Sequence, residues 1–233
     1  WQGVWRADLC LRGATRVLAR LGGFRVMHLA QLDKRSRKFP WGDFLRADVP
    51  IRVETTSRKS RIYHAGAATQ RIERAINETA GVEISQEAEL VLKVRIFDDF
   101  CTFSIDTSGP ALHIRGHKEA LNKAPMRETL ASLFLRQMGY DGSQTVVDPM
   151  CGSGTFPIEA AEQAAGLLPG RSRSFAFEKL VSFDQGEWVQ MKQSADPKQV
   201  LGQFFGFDRD MGAIRLSEEN ANRASVGEMI AFQ

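Results

Sequence analysis

The N-terminal part of the chain mixes apolar and basic residues in patterns that predict short elements. Over 5–21, leucines and valines recur at helical spacing with arginines between them, which predicts an amphipathic helix. Gly22-Gly23 is expected to end this helix. Residues 24–30 alternate weakly and predict a strand, and the basic run 33–38 is interpreted as a loop.

The middle of the chain has the clearest strand periodicity. The predicted elements are a strand at 51–55, a helix at 63–80, strands at 89–97 and 100–106, and a short strand at 111–114. Asp98-Asp99 is expected to join the two central strands as a tight hairpin. The pattern therefore predicts an α+β unit over 49–115.

Beyond this unit, helices alternate with short apolar strands, which is typical of an α/β fold. The helix predicted at 126–138 has Leu130, Leu133, Phe134 and Met138 as its apolar side. The elements after it are a strand at 145–147, a helix at 156–167, a strand at 201–207 and a helix at 211–224. This succession predicts part of a doubly wound parallel sheet.

Charge is distributed unevenly along the chain. The net charge is +3, yet residues 1–75 hold 16 Lys and Arg against 6 Asp and Glu, and the rest holds 15 against 22. The basic part suggests a surface for a polyanion, although an arginine-rich solvated surface explains the count equally well. No membrane-length apolar run, signal peptide or metal-like cysteine spacing occurs, so a cytoplasmic protein without metal is expected.

The strongest chemical signal is a glycine-containing turn between a predicted strand and helix. Residues 148–155 read Asp-Pro-Met-Cys-Gly-Ser-Gly-Thr. Gly152 and Gly154 let the backbone turn sharply and approach a ligand, and the helix offers free N–H groups. Thr155-Phe156 replaces the lysine of a phosphate-binding P-loop, and Pro157 replaces the third glycine of a dinucleotide site. Nucleotide triphosphate and NAD interpretations are therefore weakened.

This turn, followed by Ile158-Glu159-Ala160-Ala161, resembles motif I of class I methyltransferases that modify nucleic-acid bases. Two upstream segments narrow the resemblance: Leu-His-Ile-Arg-Gly at 112–116 and Ala-Pro-Met-Arg-Glu-Thr-Leu-Ala at 124–131. Together they resemble the THUMP-domain RNA methyltransferases, in particular the bacterial 23S rRNA guanine-N2 methyltransferases. Residues 11–18 and Phe39-Pro40-Trp41 resemble the ferredoxin-like N-terminal portion of that family.

The resemblance implies a domain organisation and a cofactor. It implies an incomplete ferredoxin-like portion at 1–48, a THUMP RNA-binding domain at 49–115, a linker at 116–125 and a partial Rossmann-like class I methyltransferase domain at 126–233. S-adenosylmethionine would lie against motif I, with its ribose hydroxyls on the acid after the second strand. The implied donor-binding residues are Asp148, Pro149, Met150, Cys151, Gly152, Ser153, Gly154, Thr155 and Asp208, with Asp210 as second choice. Capping a helix is the alternative role for Asp208.

Two basic loops are the candidates for RNA contact, through phosphates rather than bases. One contains Lys34, Arg35, Arg37 and Lys38, and the other contains Arg58, Lys59 and Arg61. Ordinary solvated loops would look the same. Trp41 is interpreted as a packing residue more readily than as a platform for a base, and Glu159 as a solvated helix residue.

No catalytic residue is assigned. The family's Asn-Pro-Pro-Tyr type loop is missing, because none of the eight prolines precedes another, and we expect the chain to be truncated within the methyltransferase domain. The expected function is methylation of a base nitrogen in rRNA, guanine N2 of 23S rRNA foremost. The alternatives are a tRNA guanine-N2 methyltransferase, an adenine-N6 DNA methyltransferase and a non-catalytic RNA-binding protein.

Overall fold

The computed structural model describes residues 1–118 and 126–233. Residues 119–125, which hold most of the predicted linker and the start of the 124–131 segment, lie outside the described residues. The chain forms two compact units, each assembled from three segments. The mixed-sheet unit comprises 1–5, 16–109 and 175–185, and the parallel-sheet unit comprises 6–15, 110–174 and 186–233. The first helix, α1 (Gln2–Cys10), is divided between them.

The mixed-sheet unit contains a four-stranded sheet in the order β1-β4-β3-β2. Its elements are β1 (Leu18–Arg25), α2 (Leu29–Ser36), β2 (Ile51–Arg58), α3 (Ala65–Ala80), β3 (Leu90–Phe97) and β4 (Phe100–Asp106). Strands β2 and β3 are parallel, and β4 is antiparallel to both of its neighbours. The strand and helix predictions between residues 51 and 106 are confirmed.

One face of this sheet forms the core of the unit. Alternate residues of β3 and β4, such as Ile96 and Phe103, are fully buried, and α3 packs against β2. The segment 175–185 adds aromatic rings, since Trp5 stacks on Phe177 with centroids 5.7 Å apart and meets Phe183 at 5.6 Å. Trp41 is also buried and donates its indole N–H to the Ser36 carbonyl, which confirms its packing role.

Several N-terminal predictions are wrong. The helix predicted over 5–21 ends at Cys10, and Leu18–Arg25 pairs with β4 as β1. Gly22-Gly23 does not end a helix but lies within β1. A Cβ at Gly23 would stand 2.3 Å from the Cys101 carbonyl oxygen, so glycine permits the pairing of β1 with β4. The strand predicted at 24–30 gives way to α2, which also takes most of the predicted loop at 33–38.

Two further predictions differ from the structure, one of a strand and one of a domain boundary. Residues 111–114 form a turn rather than the predicted strand. The boundary predicted at residue 48 falls inside the mixed-sheet unit, because β1 belongs to the same sheet as β2, β3 and β4. Long-range strand pairing thus joins segments that differ in their sequence patterns.

The parallel-sheet unit contains three parallel strands in the order β5-β6-β7. Its elements are α4 (Glu128–Gln137), β5 (Val146–Asp148), α5 (Thr155–Ala164), α6 (Gln185–Gln193, which starts at the last residue of the other unit), β6 (Phe204–Gly206), α7 (Met211–Arg223) and β7 (Ile230–Phe232). The predicted strands and helices at 126–224 are confirmed, and β7 was not predicted. In the described part of the chain no helix has both the length and the apolar character to span a membrane.

Helix α4 buries the side opposite to the predicted one. Leu130, Leu133, Phe134 and Met138 are 41–67% exposed. The buried side contains Ala131, Ser132 and Leu135 instead, and it packs against the alanine-rich α5. Small side chains let two helices approach closely, so the buried side of α4 is the less apolar one.

Candidate functional site

The predicted glycine turn lies at the carboxyl ends of β5 and β6, where open α/β sheets bind ligands. Two backbone hydrogen bonds attach it to the second strand. The Phe207 N–H donates to the Asp148 carbonyl and the Cys151 N–H donates to the Phe207 carbonyl, both at 2.8 Å. The turn is therefore held over the end of β6 before any ligand binds.

The two glycines of the turn serve different purposes. Both are left-handed, with φ of +56° at Gly152 and +76° at Gly154. A Cβ at Gly154 would stand 3.0 Å from the Ser217 Cβ, so this position is closed by packing. A Cβ at Gly152 would meet nothing within 4 Å, so its surroundings are open to a ligand.

Asp208 connects the turn to the end of β6. Its carboxylate accepts the Gly152 N–H and the Asp210 N–H, each at 3.0 Å. These bonds, the one from Asp210 first, hold the pKa of Asp208 below its ordinary value, so the side chain is ionised at neutral pH. The capping role considered for Asp208 belongs to Asp210, which begins α7 by accepting the Gly212 N–H at 2.8 Å.

Helix α7 supports the turn from below with residues that the sequence analysis missed. Ser217 donates its hydroxyl to the Gly152 carbonyl at 2.9 Å, and Asn220 donates its amide to the Ser153 carbonyl at 3.1 Å. Both side chains are fully buried. Their spacing of three on a buried helix face was the available signal. Burial raises the pKa of the Cys151 thiol, which is therefore no activated nucleophile.

A buried ion pair adjoins the other side of the turn. Lys118 donates to the Thr155 hydroxyl at 2.6 Å and lies 3.4 Å from a Glu128 carboxylate oxygen, and both charged side chains are 8% exposed. Burial lowers the pKa of Lys118. A cavity of about 300 Å³ opens beside this pair and is lined also by His113, Arg115 and Arg127. Neither Lys118 nor Glu128 had been assigned a role from the sequence pattern.

Behind the turn, α5 holds two buried glutamates, which corrects the expectation that Glu159 is solvated. Glu159 is 1% exposed and accepts from the Arg12 guanidinium at 2.7 Å, with Arg115 at 3.4 Å. Glu162 is fully buried and lies 2.6 Å from Arg171. Burial raises the pKa of Glu159. The pairs attach three separate chain segments to α5.

The predicted RNA-contacting residues have different surroundings. Lys34, Arg35 and Lys38 lie along α2 and beside it, where they line an open cavity of about 540 Å³. Arg37 is instead held by Asp33 at 2.9 Å and Glu78 at 2.5 Å. These bonds, the one to Asp33 first, raise the pKa of Arg37.

The second predicted loop lies at the end of the sheet. Arg58 and Lys59 are exposed there, and the Arg61 N–H donates to the Asp99 carboxylate at 2.8 Å. The Arg61 guanidinium also lies 3.3 Å from the Met27 sulfur, next to the start of α2. The second basic loop therefore contacts a residue two positions before α2, the helix that holds most of the first basic segment.

A family model described as "RMKL-like, methyltransferase domain" matches residues 115–233. The chain belongs to this family. Membership confirms the methyltransferase assignment made from the 148–155 motif, whereas a THUMP domain at 49–115 stays a prediction. Among residues 1–118 and 126–233, no three His, Cys, Asp or Glu side chains are grouped as metal ligands.

Relatives of this RMKL-like chain include the ribosomal RNA large subunit methyltransferase K/L of Psychromonas ingrahamii, 34% identical over 98% of the chain and 32% of that protein. A putative RNA methyltransferase of Synechocystis is 27% identical over 99% of the chain and 63% of its own length. The chain thus spans about a third of the K/L relatives.

Solved structures agree on the fold of the RMKL-like chain. A predicted N6-adenine-specific DNA methylase from Listeria monocytogenes has a TM-score of 0.87 and 30% identity, over 99% of this chain and 63% of that one. SMU.472, a putative methyltransferase complexed with SAH, has a TM-score of 0.84 over 99% of this chain and 64% of its own, and at 24% identity shows the fold alone.

Proposed function

We propose that this chain is part of an S-adenosylmethionine-dependent RNA methyltransferase, with guanine N2 of 23S rRNA as its foremost substrate. The observation that carries the proposal is the glycine turn at 148–155, held over the end of β6 with an ionised Asp208 beside it. The names of the K/L and Synechocystis relatives support an RNA substrate. An rRNA substrate would place the protein in the cytoplasm.

The residues present fit such a donor. The open space at Gly152 leaves the backbone of the turn accessible. Each oxygen of Asp208 accepts one backbone N–H and keeps a second lone pair, so the carboxylate can still accept from ribose hydroxyls. Met150, 82% exposed, would lie at the rim of the bound donor. Asp210 is engaged as a helix cap, which makes it the weaker ribose candidate.

The donor supplies a methyl group already activated by its sulfonium. The part left to the protein is positioning, because the base nitrogen must be aligned with the methyl carbon. A base in a stack cannot reach such a site, so the target nucleotide must be unstacked. We propose that the 148–155 turn and Asp208 orient the donor, and that the basic segments at 34–38 and 58–61 hold the RNA.

A DNA substrate is the second candidate, because the Listeria structure is titled a predicted N6-adenine-specific DNA methylase. The +10 excess over residues 1–75 suits either nucleic acid. Methyl transfer from labelled donor to matched rRNA, tRNA and DNA substrates by the full-length protein distinguishes them. Transfer to DNA alone would contradict the proposed function.

The first prediction concerns the turn. Gly152→Val is expected to abolish binding of S-adenosylhomocysteine, since a side chain there would fill the ligand's space and strain a φ of +56°. Isothermal titration calorimetry measures the affinity. Gly139→Val is the matched control, because Gly139 is also left-handed and open but follows α4. Unchanged affinity in Gly152→Val would contradict the donor site.

A further inference from the structure

The outward face of the mixed sheet ends in a row of four side chains. The strand register places Arg25 opposite Phe100, Phe100 opposite Phe97, and Phe97 opposite Arg58. Residues paired across neighbouring strands point to the same face of a sheet. The row therefore crosses all four strands, with two phenylalanines on the central strands and an arginine on each edge strand.

Both phenylalanine side chains are open to solvent. Phe97 is 38% exposed and Phe100 is 43% exposed, whereas Ile96 and Cys101, the residues next to them in sequence, are fully buried on the other face. Singly exposed apolar residues are common on protein surfaces. Here two exposed rings lie opposite each other on the central strands, so together they offer an aromatic surface of the kind on which unpaired bases stack.

The position of the Phe100 ring depends on the strand beside it. A Cβ at Gly23 of β1 would stand 2.8 Å from the Phe100 ring carbon Cε1, so the absence of a side chain makes room for the ring. Gly23 thus explains how an aromatic residue fits beside the edge strand. The ring is placed by the sheet itself rather than by a mobile loop.

Cations surround the aromatic pair. The Arg95 guanidinium lies 4.9 Å from the centre of the Phe97 ring, and the Lys59 ammonium lies 5.9 Å from it. The nearby acids are Asp98 and Asp99 of the turn, and the Asp99 carboxylate accepts from Arg61. These two cations beside an exposed ring favour an anionic partner at this surface.

We propose that Phe97 and Phe100 form a stacking platform for two unpaired RNA bases, with Arg25, Arg58 and Arg95 pairing the phosphates. The platform rests on the proposed function, since it takes RNA as the substrate, and it adds that unpaired nucleotides are recognised. In a duplex the base faces are covered by their neighbours, so only a single-stranded segment can present them to the rings. Basic grooves with exposed aromatic rings bind single strands in this way.

The test compares affinities of the full chain for a short fluorescent single-stranded RNA and for a duplex of equal length and composition. The double variant Phe97→Ala/Phe100→Ala is expected to lose about tenfold or more in affinity for the single strand, because stacking is removed, and little for the duplex. Phe97→Tyr/Phe100→Tyr should keep the affinity. Leu133→Ala/Phe134→Ala removes exposed apolar residues elsewhere and is the matched control.

Each outcome of this comparison either supports or overturns the stacking platform. Wild-type binding that is unchanged in the alanine variant would overturn the platform and leave the proposed function standing. An equal loss for the duplex would overturn base stacking, and failure of the wild type to bind any RNA would overturn the RNA substrate itself. If urea denaturation shows that the alanine variant is not folded, the variant Phe97→Leu/Phe100→Leu is measured instead. Leucine keeps the apolar volume but has no π face. Retained affinity in that variant would refute the platform.

Discussion

At the scale of single residues, the two aspartates after β6 have separate tasks. Asp208→Ala removes the acceptor for the Gly152 N–H and for the proposed ribose contact, so donor affinity should fall by about 1–3 kcal/mol. Asp210→Ala removes the α7 cap and should lower the free energy of unfolding by about 0.5–2 kcal/mol. Donor affinity should not change in that variant. Titration calorimetry and urea denaturation of both variants test this, and exchanged phenotypes would contradict it.

The sequence identified both aspartates but not their tasks. An acid just after a strand and before a helix suits ligand binding and capping alike, and only the start of α7 shows which one caps. Ser217 and Asn220 escaped notice because polar residues on a predicted helix are normally assigned to its solvated side. The glycines were predictable, because their conformation depends on local geometry alone.

At the scale of elements, α5 depends on the ion pairs behind the turn. Arg12→Ala should lower the free energy of unfolding by about 3 kcal/mol, because it leaves the buried Glu159 without its shortest partner. Arg46→Ala is the control, since its pair with Asp48 is exposed and should contribute little. Urea denaturation measures both, and equal effects would mean that the buried pair is not stabilising.

The cost of Arg12→Ala should also depend on pH. Burial raises the folded-state pKa of Glu159 above its unfolded value, so the folded protein binds this proton more tightly. The contribution of Glu159 to the free energy of unfolding therefore falls as pH rises through its folded-state pKa. The loss is largest when the Arg12 cation is missing. The difference between variant and wild type should shrink as pH falls from 8 towards 5. His117, whose pKa burial lowers to about 4, titrates in both proteins and cancels.

The local sequence pattern predicted the elements in which the spacing of apolar residues matches the residues that are buried. Helix α3 is an example, since its apolar positions are the buried ones. The helix predicted over 5–21 is wrong because Leu18–Arg25 pairs with β4 as a strand, although its apolar residues are spaced as in a helix. The buried face of α4 was predicted wrongly for another reason, since close approach to α5 selects small residues over large ones. In both cases the deciding partner is distant in sequence.

At the scale of the whole molecule, the excess of positive charge over residues 1–75 should make RNA binding strongly dependent on salt. Replacing Arg58, Lys59 and Arg61 together by Gln should flatten the slope of log affinity against log salt, because fewer counterions are released. Arg37→Gln is the matched control, since Asp33 and Glu78 already neutralise this side chain. Fluorescence anisotropy across a salt series measures the slopes. Donor affinity should stay constant, and equal slopes would mean that the loop does not contact RNA.

The division of α1 between the two units has a consequence for biosynthesis. A nascent chain leaves the ribosome N-terminus first, so Trp5 and Arg12 emerge long before the residues that bury them. Arg12 waits 147 residues for Glu159, and Trp5 waits longer still for Phe177. The sheet of 16–109 can form during translation, but the mixed-sheet unit cannot be completed until 175–185 has been synthesised, and the parallel-sheet unit cannot be completed until β6, α7 and β7 have been synthesised. Completion of both units therefore depends on segments that are synthesised after the sheet of 16–109.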